Sequence, residues 1–295
     1  MLDQISPQPF AKPTGLRLGF TRALILLGLV WLLSGANAQA ATVADLPVEF
    51  GAVVFQVNHD APTQLFIIAN SHRSVVTGAN GADTLQAQIE TFRIGEWLIR
   101  RRQVALLLPE GFFGSWTVAE PAAISDVGFD GATLTRWLAD TSGFVNAEML
   151  LHEHYGVDLE QIEDRELYRN VRESLSAGSD AVGDLGSVIG GRLEYFQKCR
   201  SAAILQGVPA VLAHANRRGH GAPASAMLTI GLGHLGDIIE FIESGEIHIP
   251  AMRTGGADLP AVQVPLDLFK SPTGITVIVP HSLLEKLPVP PYNQT

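Results

Sequence analysis

The sequence predicts an α/β protein: a largely parallel central sheet with helices on both faces, an antiparallel hairpin at its start, and an irregular Pro/Gly-rich C-terminal appendage. Three observations carry this. Short apolar runs without polar alternation, at residues 104–108 (VALLL) and 227–230 (MLTI), read as strands buried on both faces. Stretches with helical spacing separate such runs, the mark of strands alternating with crossover helices. From Ala251 onward proline and glycine become dense.

The elements follow in order. Residues 51–57 (GAVVFQV) and 64–70 (QLFIIAN) are β-prone apolar runs joined by the polar turn Asn58-His59-Asp60-Ala61-Pro62, a hairpin or two neighbouring strands. Over 83–102, Leu85, Ile89, Phe92 and Ile99 share one helical face. Arg100, Arg101 and Arg102 then end that helix, where cations favour the dipole. The strand at 104–108 comes next. Residues 134–154 are mostly helical with a break near Gly143, 156–162 a short strand, and 164–175 a helix. A long helix over 193–218 is predicted to bend at Pro209. The strand at 227–230 leads into a helix over 236–244, and 274–279 (GITVIV) reads as one more strand within the appendage.

The first forty residues do not belong to this pattern. Lys12, Arg17 and Arg22 form a basic leader, residues 23–33 (ALILLGLVWLL) carry no charge, and small residues follow through Ala36, Ala38 and Ala40. That is the layout of a secretory signal, with cleavage expected after Ala38 or Ala40. The alternative is an uncleaved N-terminal anchor, but the apolar run falls short of the roughly 20 residues a spanning helix needs. The expected organisation is a signal peptide (1–40), an α/β core (41–250) and an appendage packed on it (251–295), located in the periplasm or secreted, with no stable membrane span after cleavage. Removing the leader leaves 17 basic against 29 acidic residues, a net charge of −12. Such a surface repels polyanions, so no nucleic-acid partner is expected. Cys199 is the single cysteine, which excludes an internal disulfide and a CxxC zinc site. No heptad seam specifies an oligomeric state.

Function is read where the buried strands stop. The run at 64–70 ends at Ser71-His72, 104–108 at Pro109-Glu110-Gly111, 156–162 at Glu163-Asp164, and 227–230 at Gly231-Leu232-Gly233-His234. In open α/β sheets ligands bind beyond the carboxyl ends of parallel strands. Two histidines and two or three carboxylates therefore converge on one rim, a set that suits a divalent transition metal or an acid–base pair. Singly, each also has a plain structural role: Glu110, Glu163 and Asp164 as helix caps, His72 and His234 in turns. Jointly they point to a site.

With these residues in place, the chain resembles the superfamily that joins erythromycin esterases, Tiki and TraB proteins, and the ChaN-like haem-binding lipoproteins, over most of residues 50–245. The resemblance rests on a first strand ending in histidine (Ile67-Ile68-Ala69-Asn70-Ser71-His72) and a second ending in glutamate (Leu107-Leu108-Pro109-Glu110-Gly111). An arginine-led helical stretch (Arg200-Ser201-Ala202-Ala203-Ile204) and a last strand ending in Gly-x-x-His (Gly231 to His234) complete it. The first of these lacks the glycine of a Gly-x-x-His. The resemblance implies an α/β fold in which His72, Glu110, Arg200 and His234 line one pocket, with Glu163 or Asp164 as a further acidic partner. It implies a metal-dependent peptidase or esterase, with haem binding as the alternative. The expected roles are His72 and His234 ligating a divalent metal or polarising the substrate, Glu163 and Asp164 as further metal ligands, Glu110 as general base on water or third ligand, and Arg200 holding a carboxylate or developing negative charge. The expected substrate is a small molecule or peptide. The rival reading is a periplasmic haem, metal or small-ligand binder without turnover.

Other candidates are set aside. His152-Glu153-His154 lacks HExxH spacing and reads as solvated helix. His214 and His220 flank a basic helix end. Cys199 has no histidine near it in sequence and reads as a small buried residue. Neither a Gly-x-Ser-x-Gly elbow nor a P-loop occurs.

Overall fold

A computed structural model describes residues 43–71, 81–117, 129–140, 145–178, 184–217, 225–254, 257–270 and 272–287. The expected leader, His72, Gly143 and His220 lie outside these residues. The chain enters the fold through a short turn at Val43–Asp45, with Val43 and Leu46 already buried. β1 (Gly51–Val57) and β2 (Thr63–Asn70) run in opposite directions about Asn58, whose left-handed backbone (φ 52°) helps reverse the chain. The Gln64 side chain donates to the carbonyls of His59 at 3.0 Å and Ala61 at 2.5 Å and so ties the turn to β2.

α1 (Ala82–Arg102) packs over β2 and stops at Gln103, which takes the left-handed conformation (φ 53°) of a C-terminal cap. β3 (Val104–Pro109) and the two-residue β4 (Ser115–Trp116) follow. α2 (Gly131–Ala139) and α3 (Ala147–Tyr155) start where Asp130 and Asn146 accept hydrogen bonds from the N–H groups of Thr133 and Met149, each at 2.9 Å. β5 (Asp158–Glu160), α4 (Arg165–Gly178), the 34-residue α5 (Asp184–Arg217), β6 (Ser225–Gly231) and α6 (Leu235–Ser244) complete the alternating part. Pro209 lies inside α5. β7 (Glu246–Ile249) pairs with β10 (Val262–Pro265), and β8 (Met252–Thr254) with β9 (Ala257–Leu259), in two small antiparallel sheets. β11 (Thr273–Pro280) is the last strand.

The main sheet has seven strands in the order β1-β11-β2-β6-β3-β5-β4. The five inner strands are mutually parallel, and β1 and β4 close the edges in antiparallel sense. β11 enters between β1 and β2, parallel to the second and antiparallel to the first, so the opening pair is a hairpin split by the C-terminal strand. The tail therefore does more than pack against the core. Before β11 its strands are the short β8, β9 and β10 of the two small sheets, but every residue of β11 is buried, because the strand is covered on both faces.

Side chains alternate across this sheet. Leu65, Ile67, Ala69, Leu106, Leu108, Leu228 and Ile230 pack in one layer with α5 and α6, while Phe66, Ile68, Leu107 and Met227 pack in the other with α1, α2 and α3. β6 thus sends its following helix to one face, while its neighbours β2 and β3 send theirs to the opposite face. Adjacent strands whose connections diverge leave a crevice beyond their carboxyl ends. Among the described residues, no helix is long and apolar enough to cross a membrane.

Candidate functional site

The crevice beyond β6 is where four of the expected residues meet. Glu110 follows β3 directly and is held there from both sides of its backbone and side chain. Its N–H donates to the Thr229 carbonyl of the neighbouring strand at 3.0 Å, and its carboxylate accepts from the N–H of Gly231. Glu163 follows β5, and its carboxylate accepts from the Gly111 N–H at 2.6 Å. Gly111 has a φ of +75°, a turn that non-glycine residues rarely make, and this turn aims its N–H at Glu163. Arg200 comes from the middle of α5 rather than from a helix start, and His234 closes the short turn Leu232–His234 after β6.

Arg200 is the hub. Its Nη2 lies 2.6 Å from Glu110 Oε1, an ion-pair contact in which the N–H is not aligned on the oxygen. Its Nε donates to Glu163 Oε1, and its Nη1 lies 3.4 Å from His234 Nε2. His234 Nε2 is in turn 3.5 Å from Glu110 Oε1. The four side chains are 0–6% exposed. Burial works against the charge of Arg200, but Glu163 and Glu110 outweigh it and hold the guanidinium above its ordinary value. Glu110 and Glu163 outnumber the single guanidinium between them, an excess of acidic over basic side chains. The N–H groups of Gly231 and Gly111 offset it.

Two further residues complete the site. The Tyr168 ring of α4 lies under the guanidinium, 4.9 Å from Arg200 Cζ to its centroid, in cation–π contact. Tyr168 also lines a cavity of about 390 Å³ with Arg169, Arg172 and Glu173, and it packs edge-on against Phe113 at 5.1 Å. Ser201, next to Arg200, is fully buried with its Oγ 2.8 Å from His234 Nδ1. Neither residue stands out in the sequence. A hydroxyl or an aromatic ring on a helix has no spacing that separates a site role from packing.

The remaining expected residues fall elsewhere. Asp164 is exposed, and its carboxylate accepts from the N–H groups of Glu166 at 2.8 Å and Leu167 at 3.0 Å, so it caps α4 and is not turned to the cluster. His72 is outside the described residues. His152 and His154 are packed rather than solvated: His152 Nδ1 lies 2.7 Å from the Val157 carbonyl, and His154 stacks on Trp137 at 5.4 Å. Cys199 is partly buried, and burial pushes its thiol up, away from the reactive thiolate.

Three of the expected site residues can be compared with what a metal would need, while His72 lies outside the described residues. Glu110, Glu163 and His234 Nε2 all face the Arg200 guanidinium, which takes the central position that a divalent ion would need. As they stand, these residues fit an arginine-centred cluster and do not fit a metal centre. Among the described residues, no group of three or more His, Cys, Asp or Glu side chains is arranged to hold a metal ion. No protein-family model, curated protein or solved structure matches the chain.

Proposed function

We propose that the protein is an exported hydrolase of small-molecule or peptide substrates whose acid–base chemistry is carried by Glu110, His234 and Arg200. What supports this reading is one observation: a carboxylate, an imidazole and a guanidinium lie within 3.5 Å of one another at the carboxyl rim of a parallel sheet. Glu110 or the Nε2 nitrogen of His234 is the base for a water molecule, and Arg200 stabilises negative charge developing on the substrate. Reaching the cluster requires displacement of the residues that cover it, and Tyr168 both stacks on the guanidinium and lines the cavity of α4. The export half of the reading rests on the layout of residues 1–40, a basic leader, an uncharged apolar run and small residues, and Val43 and Leu46 of the core follow it. Cleavage after Ala38 or Ala40 leaves both in place.

Glu110→Gln tests the chemistry. The amide keeps an oxygen for the Gly231 N–H but loses the ionisable group. Against a panel of ester, amide and peptide substrates, the activity found in the parent is expected to fall about 100-fold or more, within the range for losing a general base. Activity that survives the substitution removes Glu110 from that role.

A further inference from the structure

The hydrogen bonds of Ser201 carry a second conclusion, which rests on the site just proposed and refines how it works. A serine hydroxyl has one proton. In α5, Ser201 Oγ donates that proton to the Gln197 carbonyl one turn back, at 3.0 Å. Its 2.8 Å contact with His234 Nδ1 is then satisfied only if the imidazole supplies the hydrogen, as Nδ1–H to Oγ. The other ring nitrogen gives the same answer independently. Arg200 Nη1 has hydrogens only to donate and points one at Nε2 from 3.4 Å, so Nε2 presents its lone pair. Glu110 Oε1, at 3.5 Å, is the acceptor Nε2 would face if it carried a proton instead.

We infer that Ser201 is a positioning residue that fixes His234 as its Nδ1-protonated tautomer and makes Nε2, at the rim beside Glu110, the acceptor nitrogen, which takes the Arg200 Nη1 hydrogen in this structure and a protic group of the substrate or its attacking water once that N–H is displaced. The hydroxyl itself is no nucleophile, being fully buried and committed on both sides. Which nitrogen of a histidine is available is commonly set by the hydrogen bond the other makes, and here the partner is a helical serine.

The assignment is tested on the protein labelled with 15N-histidine, by long-range 1H–15N correlation spectra at neutral pH, with His234→Gln identifying the His234 signals. The parent is expected to show an N–H-type Nδ1 and a lone-pair-type Nε2. Ser201→Ala is expected to move the pair toward the opposite or a mixed pattern, and Ser201→Thr, which keeps the hydroxyl, to restore it. A lone-pair Nδ1 in the parent overturns the inference, as does an unchanged pattern in a folded Ser201→Ala variant. If that variant does not fold, the parent spectrum alone decides. The spectra do not depend on turnover. A correct tautomer combined with full activity of Glu110→Gln would therefore sink the proposed base and leave the Ser201 assignment standing.

Discussion

At Arg200 the balance between charge and burial is sharpest. A buried guanidinium survives only because two carboxylates and a ring surround it, and each of those carboxylates in turn relies on Arg200 as its cation. Arg200→Met keeps much of the side-chain length and removes the charge, leaving Glu110 and Glu163 buried beside each other. Breaking such a pair typically costs about 3–5 kcal/mol, so a urea melt of this variant is expected to show a loss of that order. A second buried cluster lies in the other layer. Burial pushes the Glu96 carboxyl up, but the Tyr155 hydroxyl, Arg93 and the Phe129 N–H together outweigh it and hold it below its ordinary value of 4.5. A carboxylate depressed in the folded state adds stability above its unfolded value and loses that contribution as pH falls through the folded one. Tyr155→Phe is expected to cost about 1.5–3 kcal/mol at neutral pH, as for other hydrogen bonds to charged groups. The cost should shrink as Glu96 protonates in acid, which denaturation at two pH values would show.

At the scale of elements, the sequence made the buried strands legible because a run such as 104–108 has no polar position, and their ends legible because polarity returns abruptly at Glu110 and near His234. It did not separate Glu163 from Asp164. Which of two adjacent carboxylates turns inward is set in the short loop between β5 and α4, where Asp164 caps the helix and Glu163 accepts from Gly111, and composition carries no record of that. α1 shows a related blindness. Its apolar stripe predicts one buried face, yet Glu90 and Glu96 are buried as well: Glu90 accepts from the N–H and hydroxyl of Ser282 at 2.8 and 2.7 Å, and Glu96 from Tyr155. Those partners lie 192 and 59 positions away, beyond any local window. The place of β11 was hidden for the same reason. Its fit is tight where it passes the first turn, since a Cβ added at Gly274 would come within 2.5 Å of the Asn58 carbonyl oxygen. Backbone cannot give way there as a side chain can. Gly274→Ala is expected to destabilise the fold by about 1–3 kcal/mol, measurable as a lowered urea midpoint with unchanged slope.

For the whole molecule, the proposed export makes a simple prediction. The protein recovered from outside the cytoplasm should have the intact mass of a chain beginning at residue 39 or 41, and a full-length mass there would mean the leader is kept. The split hairpin has a further consequence for the order of events during synthesis. Gly51 pairs with Pro280, and Thr63 with Thr273, so a strand from near the end of translation must slide between two made near its beginning. Until the ribosome has released that segment, β1 and β2 have no strand between them and the most distant contacts of the sheet cannot form. Late closure of this kind would hold the newborn polypeptide in a loose, threadable state, the form in which a chain can still be passed through a narrow translocation pore.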